Sequence, residues 1–184
     1  MKIKGNILIS RRDFVKEAYG EKGWEDVLRV LPEADKETLR GMISNLGWYP
    51  FEVGKLLDEA IVRVVGKGDL KIFEQIGAAS AQQNLSTVHK LSIAAGDPQA
   101  FMAKTPVIYK LYYDLGRREY EATGPTSGVV TTYDAETFST ADCMTVIGWF
   151  KHALAMCGAK NVVMTEDSCR ASGAEFCRYK VHWD

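Results

Sequence analysis

Residues 163–183 read VMTEDSCRASGAEFCRYKVHW. Within this stretch, Cys177 and Tyr179 alternate with the charged residues Arg178 and Lys180, which is the period-two pattern of a half-buried strand. Residues 170–174 have the small and polar composition that is typical of a turn. The pattern predicts an antiparallel hairpin with two strands, Lys160–Glu166 and Phe176–Trp183.

Upstream of this hairpin, Ser139-Thr140-Ala141-Asp142 is a capping box, which predicts a helix that ends near Cys157, before Gly158. Two alternating segments further upstream flank a turn with glycine and proline, and predict a second hairpin, Arg118–Ala122 and Gly128–Tyr133. Apolar residues recur at helical spacing over the first two thirds of the chain. The helices expected there are Arg11–Tyr19, Gly23–Leu31, Asp35–Ser44, Pro50–Val65, Leu70–Ala94 and Asp97–Leu115.

The order of these elements is helices, hairpin, helix, hairpin, which predicts an α+β fold. N-terminal helices are expected to pack on a small, mostly antiparallel sheet, and one helix precedes the terminal hairpin. Pro106 predicts an irregularity within the last of the upstream helices. The 184 residues have the length of about one domain. We expect a single domain over residues 1–184, helical to about residue 116 and containing the sheet from about residue 117.

Three of the four cysteines and one glutamate are predicted to lie together. Cys143 falls on the apolar face of its helix, and Cys177 falls on the core face of the last strand. Glu166 falls on the same face of its strand as the apolar residues, and Cys169 follows three residues later, beside the turn of the hairpin. A carboxylate on the apolar side of a sheet needs a cation nearby.

Three thiolates and one carboxylate suit a tetrahedral zinc ion with no open coordination position. The prediction is therefore structural zinc, which would bind the terminal hairpin to the preceding helix through Cys143, Glu166, Cys169 and Cys177. A disulfide between Cys169 and Cys177, or independent buried thiols, remain alternatives at this point. Cys157 lies fourteen residues after Cys143 on the same predicted helix, too far to join the others, and is expected in the core.

Three segments resemble the vinyl-reductase-type (4-vinyl reductase) small-molecule-binding domain: CMTVIGW at 143–149, ExxC at 166–169 and CRASGAEFC at 169–177. They look most like the sensory domains of phenol- and toluene-responsive transcription activators. Intervals of 23, 3 and 8 residues separate the Cys, Glu, Cys and Cys positions, and the zinc-binding set of that family has the same intervals. The resemblance implies a hydrocarbon-binding sensory domain with structural zinc, which forms a homodimer.

The N-terminal segment, from Lys4-Gly5 through Tyr19-Gly20 to Trp24, is also similar to the start of haem nitric-oxide-binding domains. Those domains share a fold with the vinyl-reductase-type domains and with vesicle-tethering subunits. The resemblance implies two alternatives: a haem/NO-binding sensor that uses His89, and an adaptor or scaffold protein. The Tyr-x-Ser-x-Arg motif with which the haem family holds the haem carboxylates does not occur in this sequence.

Aromatic residues recur on the helix before the sheet and on the helix that carries Cys143. Such residues suit the lining of an apolar pocket, and they equally suit a core between helices and sheet. Together with the resemblance, they predict a pocket for a small hydrophobic or aromatic molecule. The candidate pocket residues are His89, Phe101, Tyr109, Tyr113, Trp149 and Phe150.

Catalytic combinations of residues are not apparent, because His152 and His182 are predicted to face away from the core. We therefore expect a binding protein rather than an enzyme, with an accessory reductase role left open. Lys and Arg number 23 and Asp and Glu 24, evenly mixed, which disfavours nucleic-acid and membrane partners. The apolar run at 7–9 is too short for a signal peptide. We expect a cytoplasmic domain that signals through a separate output protein.

Overall fold

A computed structural model describes residues 1–87, 93–135 and 139–184. The elements in chain order are β1 (Lys2–Lys4), α1 (Gly5–Arg29), α2 (Glu33–Arg40), β2 (Trp48–Pro50), α3 (Phe51–Val64), α4 (Ile72–Ser86), α5 (Pro98–Met102), α6 (Thr105–Tyr112), β3 (Arg117–Gly124), β4 (Ser127–Tyr133), α7 (Thr140–Met156), β5 (Val163–Ser168) and β6 (Cys177–His182). Within these described ranges, no helix combines the length and the apolar character needed to cross a membrane.

The α+β prediction is confirmed. The main sheet is antiparallel, and its strands lie in the order β3-β4-β6-β5, so that both predicted hairpins are present and β4 pairs with β6 at the centre. Val130 and Tyr179 are register partners in this central pair, and both side chains are buried in the core. In the β5–β6 pair the register shifts between Glu166 and Ser168, which is where the terminal hairpin approaches α7.

The N-terminal helices differ from the prediction in their boundaries. The first two predicted helices form one helical stretch, α1, which is interrupted at Gly20, where φ is +72°. That left-handed conformation favours glycine, so the break occurs at the residue that permits it. The expected irregularity before Pro106 is confirmed, because α5 ends at Met102 and α6 begins at Thr105. The small antiparallel sheet formed by β1 and β2 was not predicted, since strands of three residues show no clear alternation.

The close packing of α4 and α7 depends on two glycines. A Cβ atom at Gly148 would meet the backbone oxygen of Glu74, and one at Gly77 would meet the backbone oxygen of Thr145. Only glycine allows the two backbones to approach this closely. Helix α7 is consequently held against α4 on one side while it packs on the main sheet through Cys143 and Phe150, which are both buried.

Candidate functional site

A cavity of about 50 Å³ lies between α1, α4, α6, β3 and α7. Five aromatic side chains line it, from α6, from the residue that follows α6 and from α7, and Ser80 of α4 and two arginines also reach it. Ligand sites in proteins characteristically combine apolar walls with a few polar groups. The aromatic residues at the wall are Tyr109, Tyr112, Tyr113, Trp149 and Phe150.

Four of the predicted pocket residues therefore meet at one cavity: Tyr109, Tyr113, Trp149 and Phe150. The fifth, Phe101, is fully buried behind this wall, with its ring centre 6.1 Å from that of Trp149. It supports the position of Trp149 rather than facing the cavity. The sixth, His89, lies outside the described residues.

Arg11 of α1 reaches the cavity but is bound by other groups. Its Nε donates to Oδ1 of Asp58 at 2.5 Å and its Nη2 donates to Oδ2 at 3.0 Å, a bidentate pair in which both side chains are buried. Nη1 donates to the backbone oxygen of Ile7 at 3.4 Å, and Oδ1 of Asp142 lies 3.8 Å from Nη2. The sequence reasoning missed this pair. Its signal is Arg11 on the apolar face of its helix, four residues after Ile7 and four before Val15.

Arg118 of β3 enters the cavity from the sheet and was missed in the same way. Its Nε donates to Oγ1 of Thr132 at 3.0 Å, and the guanidinium carbon lies 4.9 Å from the ring centre of Tyr109 and 5.5 Å from that of Phe150. The residue is only 9% exposed. Within the described part of the chain, no carboxylate oxygen lies within 4.0 Å of its guanidinium nitrogens.

The buried charges perturb one another. Burial raises the pKa of Asp58 and of Asp142, and the positive charge of Arg11 opposes both shifts. Burial alone would lower the pKa of Arg11, but Asp58 and then Asp142 raise it above its ordinary value. Burial and the charge of Asp142 raise the pKa of Tyr113, whose hydroxyl donates to Asp142 Oδ1 at 3.2 Å.

A second group of functional side chains lies where α7 meets the terminal hairpin. One ligand atom from each of Cys143, Glu166, Cys169 and Cys177 falls within 4.8 Å of the other three. The Sγ atom of Cys143 is 3.7 Å from that of Cys169 and 3.8 Å from that of Cys177. We call these four residues the cysteine cluster. The predicted convergence of four residues from α7 and the hairpin thus agrees with the geometry.

Hydrogen bonds organise the cluster internally. The contact between the sulfurs of Cys143 and Cys177 raises the pKa of Cys143 and lowers that of Cys177, and burial also raises that of Cys143. The backbone N–H of Arg170 donates to Cys177 Sγ at 3.4 Å. Oε1 of Glu166 is buried and has no hydrogen-bond partner in the described structure. Cys157 is buried near the end of α7, outside the cluster, as its sequence distance predicted.

Solved structures that are similar to this chain over nearly its whole length include H-NOX proteins. One from K. algicida, described as Fe(II) unliganded, matches with a TM-score of 0.75 and 12% identity over 98% of this chain and 96% of that chain. One from S. oneidensis, described in the Fe(II)NO ligation state, matches with a TM-score of 0.71 and 15% identity over 98% of this chain and 99% of that chain. The chain shares the fold of the H-NOX proteins. The haem nitric-oxide-binding fold group expected from the N-terminal segment is therefore confirmed. No protein-family model and no curated protein matches the chain.

The comparisons overturn the predicted cofactor. The similar H-NOX structures are described in Fe(II) states, and a further similar structure, with a TM-score of 0.68, is described with the words "Modulating Heme Redox Potential Through Protein-Induced Porphyrin Distortion". These proteins are described with iron and haem, not with zinc, so the prediction of structural zinc is wrong. The physical reason for the error is that residue spacing establishes which side chains can meet, whereas it does not identify what they bind.

The haem implied by the fold does not fit the interior formed by the described residues, 1–87, 93–135 and 139–184. The cavity holds about 50 Å³, whereas pockets for drug-sized ligands hold roughly 300–1,000 Å³. Tyr109, Trp149 and Phe150 occupy the space around it, and Trp149 packs edge to face on Phe150 with ring centres 5.2 Å apart. The described residues therefore have the H-NOX fold around an interior that their own side chains largely fill.

Proposed function

We propose that this chain is a sensory domain that binds a small molecule in the cavity and signals through a separate output protein. One observation carries the proposal: aromatic side chains line the cavity, and a buried cation, Arg118, borders it. A core that served only for packing would gain nothing from a charged group at its centre, because burying an unpaired charge is costly. The fold, shared with proteins described in distinct ligation states, supports a ligand-binding role.

The volume limits the size of this molecule. About 50 Å³ exceeds the roughly 10–15 Å³ that one water requires, so a few non-hydrogen atoms fit without rearrangement. A whole aromatic ring requires movement of a wall residue such as Tyr113 or Trp149. The resemblance to vinyl-reductase-type sensory domains supports a small hydrophobic or aromatic compound in this position, and we include that finer identity in the proposal.

The proposal is tested by the melting temperature of the purified chain in the presence of small aromatic and aliphatic compounds. A ligand that binds only the folded state raises this temperature, and the stabilisation grows with the logarithm of its concentration once that concentration exceeds Kd. Trp149 lines the cavity, so its fluorescence should change over the same range of ligand concentration as the melting temperature. An adaptor or scaffold of the vesicle-tethering type would show neither response, and that result would contradict the sensory role.

Haem/NO sensing is the second candidate, and the shared fold favours it. The small cavity opposes it, and we therefore rank it below the small-molecule role. An absorbance scan after addition of haem separates the two. We expect no strong Soret band. A strong band that disappears in the His89→Ala variant would reverse the ranking.

The cysteine cluster is proposed as a structural site that attaches the terminal hairpin to α7, with its four side chains as candidate ligands of a metal ion. The buried oxygen of Glu166 without a partner supports this role, because such a group ordinarily binds a donor or a cation. Elemental analysis of the purified chain identifies any bound metal. Loss of that metal in Cys177→Ser, and its retention in the matched Cys157→Ser variant, is the expected result. A chain that carries no stoichiometric metal would contradict the role.

We further propose that residues 1–184 act as one ligand-binding domain without an activity of its own, and that the chain forms a homodimer. The fold shared over 98% of the chain supports a single unit. Native mass spectrometry of the purified chain reports the oligomer directly. A monomer at all concentrations would contradict the dimer while leaving the ligand-binding role intact.

A further inference from the structure

The cavity contains two guanidinium groups in different electrostatic situations. Arg11 is bidentate to Asp58 and lies near Asp142, so its charge is already balanced. Among the described residues, the side chain of the second group, Arg118, makes one hydrogen bond, from Nε to the hydroxyl of Thr132. The difference between the two arginines lies in their partners, since both are buried.

Asp142 does not remove this difference. It is near enough for the charge of Arg118 to lower its pKa, but no ion pair joins the two side chains at 4.0 Å or less. Its oxygen Oδ1 accepts from Tyr113 and faces Arg11 instead. Asp142 also lies in the first turn of α7, where the helix dipole favours a negative charge. The terminal nitrogens of Arg118 therefore have no anion of their own in the described structure.

A guanidinium has the planar arrangement of donors that a carboxylate matches with two parallel hydrogen bonds. Around Arg118 the rings of Tyr109 and Phe150 provide faces that hold the guanidinium in one orientation. Val146 and Trp149 complete an apolar wall beyond it. The arrangement thus offers a pair of guanidinium donors for one anionic group and an apolar surface for the rest of a ligand.

We infer that the ligand of this cavity is a small carboxylate, whose carboxyl group binds Arg118 and whose apolar part contacts Trp149 and Phe150. The inference deepens the proposed function and rests on it. The volume of about 50 Å³ favours a short aliphatic acid, with an aromatic acid as the upper limit of size. The bound carboxylate balances the buried charge of Arg118, which gives the acid an advantage over a neutral molecule of the same shape.

The test uses the full chain and three pairs of probes at constant ionic strength: acetate and acetamide, butyrate and butyramide, benzoate and benzamide. Each amide copies the shape of its acid without the charge. Calorimetry and the fluorescence of Trp149 measure the affinities. Three variants accompany the parent protein. Arg118→Met removes the cation, and Arg118→Lys keeps the charge without the paired guanidinium donors. Arg117→Met is the matched control, because Arg117 is exposed and pairs with Glu119 and Asp134.

We expect at least one acid to bind about tenfold more tightly than its amide, which is the size of effect that a charge-assisted hydrogen bond supplies. Arg118→Met should remove this preference, Arg118→Lys should reduce it, and Arg117→Met should leave it unchanged. If Arg118→Met fails to fold, the difference in affinity between acid and amide in the parent chain still tests the inference.

Two results would overturn the inference, and they differ in what they mean for the proposed function. Amides that bind as tightly as their acids would overturn the carboxylate class, while small-molecule binding in the cavity would stand. If neither the acids nor the amides nor neutral aromatic compounds bind, the carboxylate inference and the proposed function both fail.

Discussion

Helix α7 contributes neighbouring residues to two interiors of different character. Asp142 faces Arg11 and Tyr113 beside the cavity, and Cys143 faces Cys169 and Cys177 in the cysteine cluster. The cavity is built from helices and a strand that are distant in sequence, and it depends on buried charges. The cysteine cluster is built from one helix and one hairpin, and it depends on sulfur. Helix α7 thus positions both regions, but a different set of side-chain interactions stabilises each of them.

The largest expected effect comes from breaking the ion pair behind the cavity. Asp58→Asn leaves the buried Arg11 without its bidentate partner, which should lower the free energy of unfolding by about 3–5 kcal/mol. Urea denaturation measures the change. The matched control is Glu25→Gln, which breaks an exposed pair with Arg40 and should cost less than about 1 kcal/mol. Equal small losses in both variants would show that the buried pair does not hold the cavity.

A smaller loss is expected where α7 meets α4, and it should affect both regions together. Gly148→Ala introduces a Cβ against the backbone of Glu74 and forces the helices apart, at a cost of about 1–3 kcal/mol. Thermal unfolding measures this cost, and ligand affinity should fall with it. Ala155→Ser, at an exposed position of the same helix, should change neither quantity. A Gly148→Ala variant as stable as the parent would contradict the close helix contact.

Substitution in the cysteine cluster should affect the hairpin and spare the cavity. Cys177→Ser removes the sulfur that accepts from the N–H of Arg170, and should cost about 1–2 kcal/mol. Hydrogen exchange at that amide should quicken, whereas affinity for the cavity ligand should stay within about twofold. In Cys157→Ser the exchange at Arg170 should be unchanged. A large loss of ligand affinity in Cys177→Ser would show that the two regions are coupled.

The smallest effect is a loss of stability as the pH rises above about 10. Burial raises the pKa of Tyr113 and of Tyr179 in the folded chain, while the same groups ionise near pH 10 once the chain unfolds. The unfolded state then binds fewer protons than the folded state, so the free energy of unfolding decreases with increasing pH. Absorbance titration of the folded chain should show these tyrosines still protonated above pH 10. Complete ionisation there without unfolding would contradict their burial.

The two regions also differ in how far the sequence predicts them. Local periodicity is enough to place Cys143 and Cys177 on core faces and to bring Glu166 and Cys169 beside them, because helix and hairpin are short and contiguous. Local periodicity does not show what the cysteine cluster binds. The prediction that the four side chains lie together was correct, and the prediction that they bind zinc was wrong. Tyr109 and Trp149 were also predicted on the basis of their type and helical position.

The charges around the cavity were not predictable in the same way. Arg11 pairs with Asp58 across forty-seven residues, and Arg118 enters from a strand that follows all of the N-terminal helices. Period-two and helical patterns give the face on which a residue lies, but they do not give its partner on another element. Arginine at an apolar position is the signal that such a partner exists. Arg118 hydrogen-bonds to Thr132, but none of the described carboxylates forms an ion pair with it.

The most direct test of this account is the NMR spectrum of the full chain labelled with nitrogen-15, recorded while benzoate is added. We expect the Nε–H signal of Arg118 and the indole signal of Trp149 to shift together and to saturate at one common affinity, while the amide of Arg170 beside the cysteine cluster stays in place. Shifts confined to exposed residues, with the signals of Arg118 and Trp149 unchanged at saturating benzoate, would contradict the central claim that the cavity binds a small carboxylate.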